Sequence, residues 1–244
     1  MQIDEVGRRT AIDGAIRRRI YLFRHGSVDY IDADGNIVPN TDIVVLNETG
    51  RAQASQMRDL FAKVQIDKAL CSGLPRTRET GETVLGSRDI PLEEDSGFVE
   101  IRQMQGEASD DYDVVTDIAF SHWRAIDEEA RFLGGERYSD FYSRIERAID
   151  ALLADRSWHN LALFAHGATN AAFLGWVTGL GRSAFGILDQ AMCCLNVVDI
   201  DVDASGEILR KTVRAMNVTA DDPAKSNRHS GDMESLAYRI SQGK

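Results

Sequence analysis

At 244 residues, with 43% apolar side chains, the chain has material for one large domain or two small ones around a sizeable core. A formal charge of −11 argues against a surface built for nucleic acid or an anionic membrane, yet leaves room for a local cationic pocket. No apolar run nears the roughly 20 residues that span a bilayer, and the N-terminus lacks a signal peptide's apolar core, so a soluble cytoplasmic protein is expected.

The basic residues Arg8, Arg9, Arg17, Arg18 and Arg19 are accompanied by Asp4, Glu5 and Asp13, unlike a transit peptide, and lead into an apolar run, Ile20-Tyr21-Leu22-Phe23, the first predicted strand. Arg24-His25-Gly26 follows. It sets a cation and a nucleophile at a strand's carboxyl end, beside a glycine that permits a sharp turn and close approach of a ligand. Alone, such a tripeptide is more often a loop holding a satisfied histidine. Ser27 opens a long segment, Val28 to Asn40, containing Asp32, Asp34 and Gly35. Glu48 to Lys63 then spaces Ala52, Met57, Leu60, Phe61 and Val64 as a packing helix does, with Asn47 as its cap.

A second predicted strand, Lys68–Ser72, runs into Gly73-Leu74-Pro75-Arg76-Thr77, where proline suits a helix's first turn and the helix's positive end favours a phosphate near Arg76. Between Gln103 and Arg131 the chain turns acidic, with Asp110, Asp111, Asp113 and Asp117 ahead of His122-Trp123. This stretch reads either as an inserted, partly helical cap over the site or as a solvated acidic surface. A turn at Gly134-Gly135 precedes a helix, Glu136 to Leu153, carrying Phe141, Ile145, Ile149 and Leu152. The third strand, Leu161–Ala165, ends at His166-Gly167 and a helix starting near Ala168. Phe173, Leu174, Trp176 and Val177 read as core, with a homodimer face as the alternative. Two extended runs between Cys194 and Met216, around Asp203-Ala204-Ser205-Gly206, predict a hairpin and an antiparallel edge. The polar tail offers Leu236, Tyr238 and Ile240 for docking. Cys71, Cys193 and Cys194 match no disulfide framework or metal spacing and read as small buried side chains; Cys71, near a strand end, is the one with a case for reactivity.

In a parallel sheet the three strand ends share one edge, so Arg24, His25, Arg76 and His166 can converge. These motifs, with Leu46 to Ala54, Leu74 to Thr80, Phe98-Val99-Glu100-Ile101, Gly134-Gly135-Glu136 and Met216 to Thr219, resemble the histidine phosphatase (phosphoglycerate mutase-like) superfamily over roughly residues 19 to 218. The resemblance implies His25 as nucleophile, Arg24, Arg76 and His166 as phosphate ligands, and Glu100 as proton donor. It also implies catalysis without metal or cofactor. The expected fold is α/β: a three-layer α/β/α sandwich with a mostly parallel central sheet, one antiparallel edge strand and a cap at about 103–133. A single domain, 1–244, would hold the core at 19–218 and a tail at 219–244.

Phosphoryl transfer needs in-line positioning and stabilised equatorial charge, which suits an imidazole nucleophile among guanidinium groups. Ser27, His122 and Gly167 are candidates for substrate contact. Ser27 stands where many relatives have glutamate, which bears on substrate identity. His166 is followed by glycine instead of the aspartate of the acid phosphatase and phytase branch, so the acid is placed at Glu100, with Glu93, Glu94, Glu107 and Asp110 as substitutes. An acidic insertion with only Arg102, Arg124 and Arg131 disfavours a doubly anionic substrate. The expectation is therefore hydrolysis of a small phosphorylated metabolite, with a mutase-type phosphotransferase or a phosphate-binding scaffold as competing readings. No Gly-x-Ser-x-Gly elbow supports serine-hydrolase chemistry.

Overall fold

In the computed structural model of the chain, the first strand is longer than its apolar run: β1 spans Ile16–Arg24 and takes in the three arginines. Its alternation explains why charge is tolerated there. Arg17 and Arg19 reach across to Asp201 and Asp199 at 2.9 and 2.6 Å, while Arg18 turns to the opposite face, lies 3.5 Å over Trp158 and donates to the Leu153 carbonyl at 2.7 Å. The structure describes residues 12, 14–31, 38, 40–104, 113–227 and 229–242. Asp4, Glu5, Arg8, Arg9, Asp13, Asp32, Asp34, Gly35, Glu107, Asp110 and Asp111 lie outside the described residues.

The chain continues through α1 (Glu48–Phe61), β2 (Lys68–Cys71), α2 (Pro75–Leu85), β3 (Leu92–Glu94), α3 (Val114–Phe120), α4 (Tyr138–Ala154), β4 (Asn160–Ala165), α5 (Gly167–Thr178), α6 (Ala184–Ile187), β5 (Leu195–Val202), β6 (Ile208–Val218) and α7 (Asp232–Ser241). The strands form one sheet in the order β3-β2-β4-β1-β5-β6. β3, β2, β4 and β1 run parallel; β5 runs antiparallel to β1, and β6 returns outside it through the expected hairpin. The mostly parallel α/β sheet with an antiparallel edge is thus present. β3 carries no sequence signal, because Leu-Glu-Glu has no apolar run and is held by pairing with β2.

Both faces of the sheet are covered, and alternation along each strand feeds two cores. Ile20, Leu22, Leu161 and Leu163 pack with Phe141, Ile145 and Phe173 of α4 and α5. Phe23, Ala162 and Phe164 pack with Met57 and Phe61 of α1 and Val84 of α2. Asn47 caps α1 by accepting from the Gly50 N–H. The buried stripe of that helix is Gly50, Ala54, Met57 and Phe61; Ala52 faces solvent and Leu60 is 54% exposed, which corrects the expected face. Phe173, Leu174 and Val177 are buried inside the chain's own core, so this run supplies no homodimer face. Cys71, Cys193 and Cys194 are buried thiols pushed upward by burial, and Cys71 gives no sign of a reactive thiolate.

Candidate active site

Three parallel strands deliver the site. β4 lies between β2 and β1, with Arg24 level with Ala165 and Cys71 level with Phe164, so the residues that follow each strand meet at one edge. The rings of His25 and His166 stand edge to face with centroids 5.3 Å apart. His25 is anchored at its backbone: its N–H donates to the Ala165 carbonyl at 3.1 Å, and its carbonyl accepts from the Cys193 N–H at 2.9 Å. Its Nδ1 sits 2.8 Å from the Gly26 carbonyl. A carbonyl only accepts, so Nδ1 carries the proton and Nε2 keeps its lone pair. Gly26 is required by close approach and not by a left-handed φ: a Cβ there would lie 2.6 Å from the Gly50 carbonyl oxygen. Gly50 answers in kind, since its Cβ would fall 2.2 Å from the Ser27 carbonyl oxygen. The first turn of α1 therefore wedges against the loop that bears His25.

Arg76 enters in the first turn of α2, is 2% exposed, and donates through Nη1 to the Thr41 carbonyl at 2.7 Å. Arg24 donates to the Gln190 carbonyl and pairs with Asp232 at the start of α7. Among the described residues, Nε of Arg24, Nε of Arg76 and Nδ1 of His166 are buried with no hydrogen-bond partner. Buried donors of this kind mark a place for an acceptor-rich ligand. Gly167 gives the Arg24 guanidinium its space, because a Cβ would lie 3.2 Å from Nε. Nε2 of His166 lies 2.8 Å from the Ser72 hydroxyl, itself 3.0 Å from the Thr77 hydroxyl.

Glu100 sits at the start of α5, where backbone N–H groups lack partners within the helix. The N–H groups of Ala168 and Thr169 both donate to its carboxylate at 3.1 Å, as does that of Ile101. Arg144 of α4 holds the supporting segment by donating to the carbonyls of Gly97 and Val99 at 3.0 and 2.9 Å. Burial, then the charges of Arg76 and Arg24, drive His25 well below the usual histidine value. Burial and Arg76 likewise depress His166. Burial and Arg24 push His122 down to about 4.

A cavity of about 540 Å³ opens over these groups, lined by Arg24, Arg76, Glu100, Gly167 and His122. His25 and His166 are buried just behind that lining. Ser27 is not on the wall: its hydroxyl donates to Gln53 Oε1 at 3.0 Å, so its candidacy as a substrate contact finds no support. Glu93 and Glu94 pair with Lys68 and Arg78 away from the cavity. Asp117 of α3 pairs with Arg124, whereas His122 and Trp123 line the cavity. Sequence reasoning missed Asp232, Gln190, Thr41 and Arg144, none of which lies in a recognisable motif. Asn217 had been noted only within the terminal motif. It adopts φ 53° and accepts from the Ala191 N–H at 2.8 Å, bracing the loop whose carbonyl holds Arg24.

The sequence profile of the histidine phosphatase superfamily (branch 1) matches residues 20–211. The chain belongs to that superfamily. Among its relatives, the 2-carboxy-D-arabinitol-1-phosphatase of Triticum aestivum is 25% identical over 220 residues, covering 88% of this chain and 43% of the plant protein. This superfamily member thus spans less than half the length of the plant relatives it matches. The adenosylcobalamin/alpha-ribazole phosphatase of Escherichia coli K12 is 25% identical over 185 residues, covering 75% of this chain and 90% of that one. In fold, the mycobacterial glucosyl-3-phosphoglycerate phosphatase superposes with a TM-score of 0.67 at 23% identity, covering 82% of this chain and 99% of the other.

Proposed function

We propose that the protein is a metal-independent phosphomonoesterase that hydrolyses a small phosphorylated metabolite through a phosphohistidine at His25. The observation that carries this reading is the neutral, Nδ1-protonated His25 buried beside two arginines whose Nε–H groups have no partner among the described residues. In the first step, Nε2 of His25 attacks phosphorus and the phosphorus–oxygen ester bond breaks. Arg24, Arg76 and His166 stabilise the equatorial oxygens, and a proton held on Glu100 passes to the leaving alcohol. Water then attacks phosphorus, the phosphorus–nitrogen bond breaks, Glu100 takes the water's proton, and inorganic phosphate leaves. Membership in a superfamily that includes the phosphatases matched above supports the reaction class.

The test is release of phosphate from p-nitrophenyl phosphate and a panel of metabolite esters in excess chelator. Wild type should turn over, His25→Ala should lose at least about 10³-fold in kcat, and Arg24→Ala about 10²- to 10³-fold. Undiminished hydrolysis in His25→Ala sinks the phosphohistidine route. Isomerised ester accumulating faster than phosphate would make the protein a mutase.

A further inference from the structure

The cavity is far larger than a phosphoryl group needs; about 300–1,000 Å³ is the range that encloses a whole organic ligand. Beyond its phosphoryl-binding end, the wall brings together large apolar side chains from five separate segments, set among polar ones: Ile118 of α3, Trp123, Phe132, Phe185 and Ile187 of α6, and Met233 of α7. Segments distant in sequence have contributed the same chemistry to one surface. Trp123 is 61% exposed and Ile187 50% exposed, so the cavity carries apolar surface left open to water, as a ligand-covered surface does. Gly186 lets the indole lie on α6, since a Cβ would come within 3.3 Å of it. His122 adds an uncharged face: it stacks on Phe132 with centroids 5.8 Å apart, and its Nδ1 lies 2.9 Å from the Tyr138 hydroxyl.

Charge on the rest of the lining points the same way. Beyond Arg24 and Arg76, the described residues of the lining offer Arg102 and Lys225 against Asp42, Asp189, Asp232 and Glu234. A second anionic group on the substrate would meet an excess of carboxylates, while an uncharged apolar body meets aromatic and aliphatic surface.

We propose that the substrate is the phosphate monoester of a bulky, mainly apolar alcohol carrying no further negative charge. This rests on the phosphomonoesterase reading above and specifies the alcohol, which that reading leaves open. The selection is made by burial of the leaving group, so kcat/KM follows the alcohol's apolar area.

A series of n-alkyl phosphates from ethyl to octyl tests it, because the leaving groups differ little in reactivity and mainly in apolar length. In wild type with excess chelator, kcat/KM should climb about fourfold per methylene until the chamber is filled. Octyl phosphate should exceed 3-phosphoglycerate by at least about 100-fold. Trp123→Ala, at an exposed position that a smaller side chain does not unfold, should flatten the slope and raise KM for the longer esters. Calorimetric binding of the same series to His25→Ala reads the chamber without turnover. Hydrolysis with a flat series, or with 3-phosphoglycerate preferred, overturns the apolar-alcohol proposal and leaves the phosphatase standing. A rising ladder of affinity without hydrolysis of any ester supports the chamber and removes the phosphatase. No hydrolysis of any ester together with a flat affinity series overturns both.

Discussion

Because Nδ1 of His25 lies 2.8 Å from the Gly26 carbonyl, the imidazole's tautomer is set by the chain itself and needs no carboxylate partner. Burial and the two arginines then keep the ring neutral well below the usual histidine value. The ring therefore stays neutral across the range in which an ordinary histidine would be charging, the state that the proposed phosphohistidine route requires. In a ¹⁵N NMR titration, His25 should hold the Nδ1–H, neutral pattern at pH 6, where a solvent-exposed histidine is mostly imidazolium. A midpoint near 6.5 for this ring would remove that account. His25, Arg24, Arg76 and His166 were legible from sequence because each directly follows an apolar run or opens a helix behind a proline. The Ser27 hydroxyl is taken by Gln53 of the following helix, a partner that nothing in its local sequence marks.

At the scale of elements, α7 is the least anticipated part of the site. It packs against α3, brings Met233 and Leu236 to the cavity, and lays Asp232 on Arg24. The tail was read as polar chain with apolar residues to dock, and of those only Leu236 reaches the cavity while Tyr238 is turned to solvent. On the proposed reading, Asp232 would compete with a phosphoryl group for the Arg24 guanidinium. Asp232→Asn should therefore tighten inhibition by inorganic phosphate about fivefold, the value of about 1 kcal/mol at the upper end for a partly exposed pair. Unchanged or weaker inhibition would mean that the carboxylate serves only to dock the helix. The wedge between α1 and the His25 loop makes an opposite kind of demand, for emptiness. Gly50→Ala should cost about 1–3 kcal/mol in denaturant unfolding, because the displaced atom would be backbone.

Across the whole molecule, acid should act in two stages. His25, His122 and His166 are all depressed by burial. The folded state thus binds fewer protons than the unfolded chain as pH drops below about 6.5, and stability declines from there. A second loss comes from Asp199 and Asp201. Burial opposes their charge, yet hydrogen bonds from Arg19, Arg214, Arg17 and Arg210 hold both below the ordinary aspartate value of 3.8. Their contribution is intact above that value and is lost as pH falls through the lowered folded values. Denaturant midpoints measured from pH 8 to 3 should show both stages; a single transition near pH 4 would contradict the histidine part. Asp199→Ala should cost about 2 kcal/mol, less than a wholly buried pair because Arg19 and Arg214 keep some access to water.

By itself the sequence determined what local physics controls: the apolar runs that become β1, β2, β4 and β5, the Asn47 cap, the Pro75 helix start, the hairpin turn, and the strand-end positions of the arginines and histidines. Their parallel order follows from alternation of strands and helices, so convergence at one edge was readable before any coordinate. Tertiary structure alone decided the rest. The pairing of Arg17 and Arg19 with acids some 180 residues away, the strand status of Leu92–Glu94, the covering of Arg24 by Asp232 and the chamber whose apolar side chains come from five segments all depend on contacts between distant parts of the chain. A polar residue's partner and a cavity's chemistry are properties of which surfaces meet, and no local pattern of residue types records that.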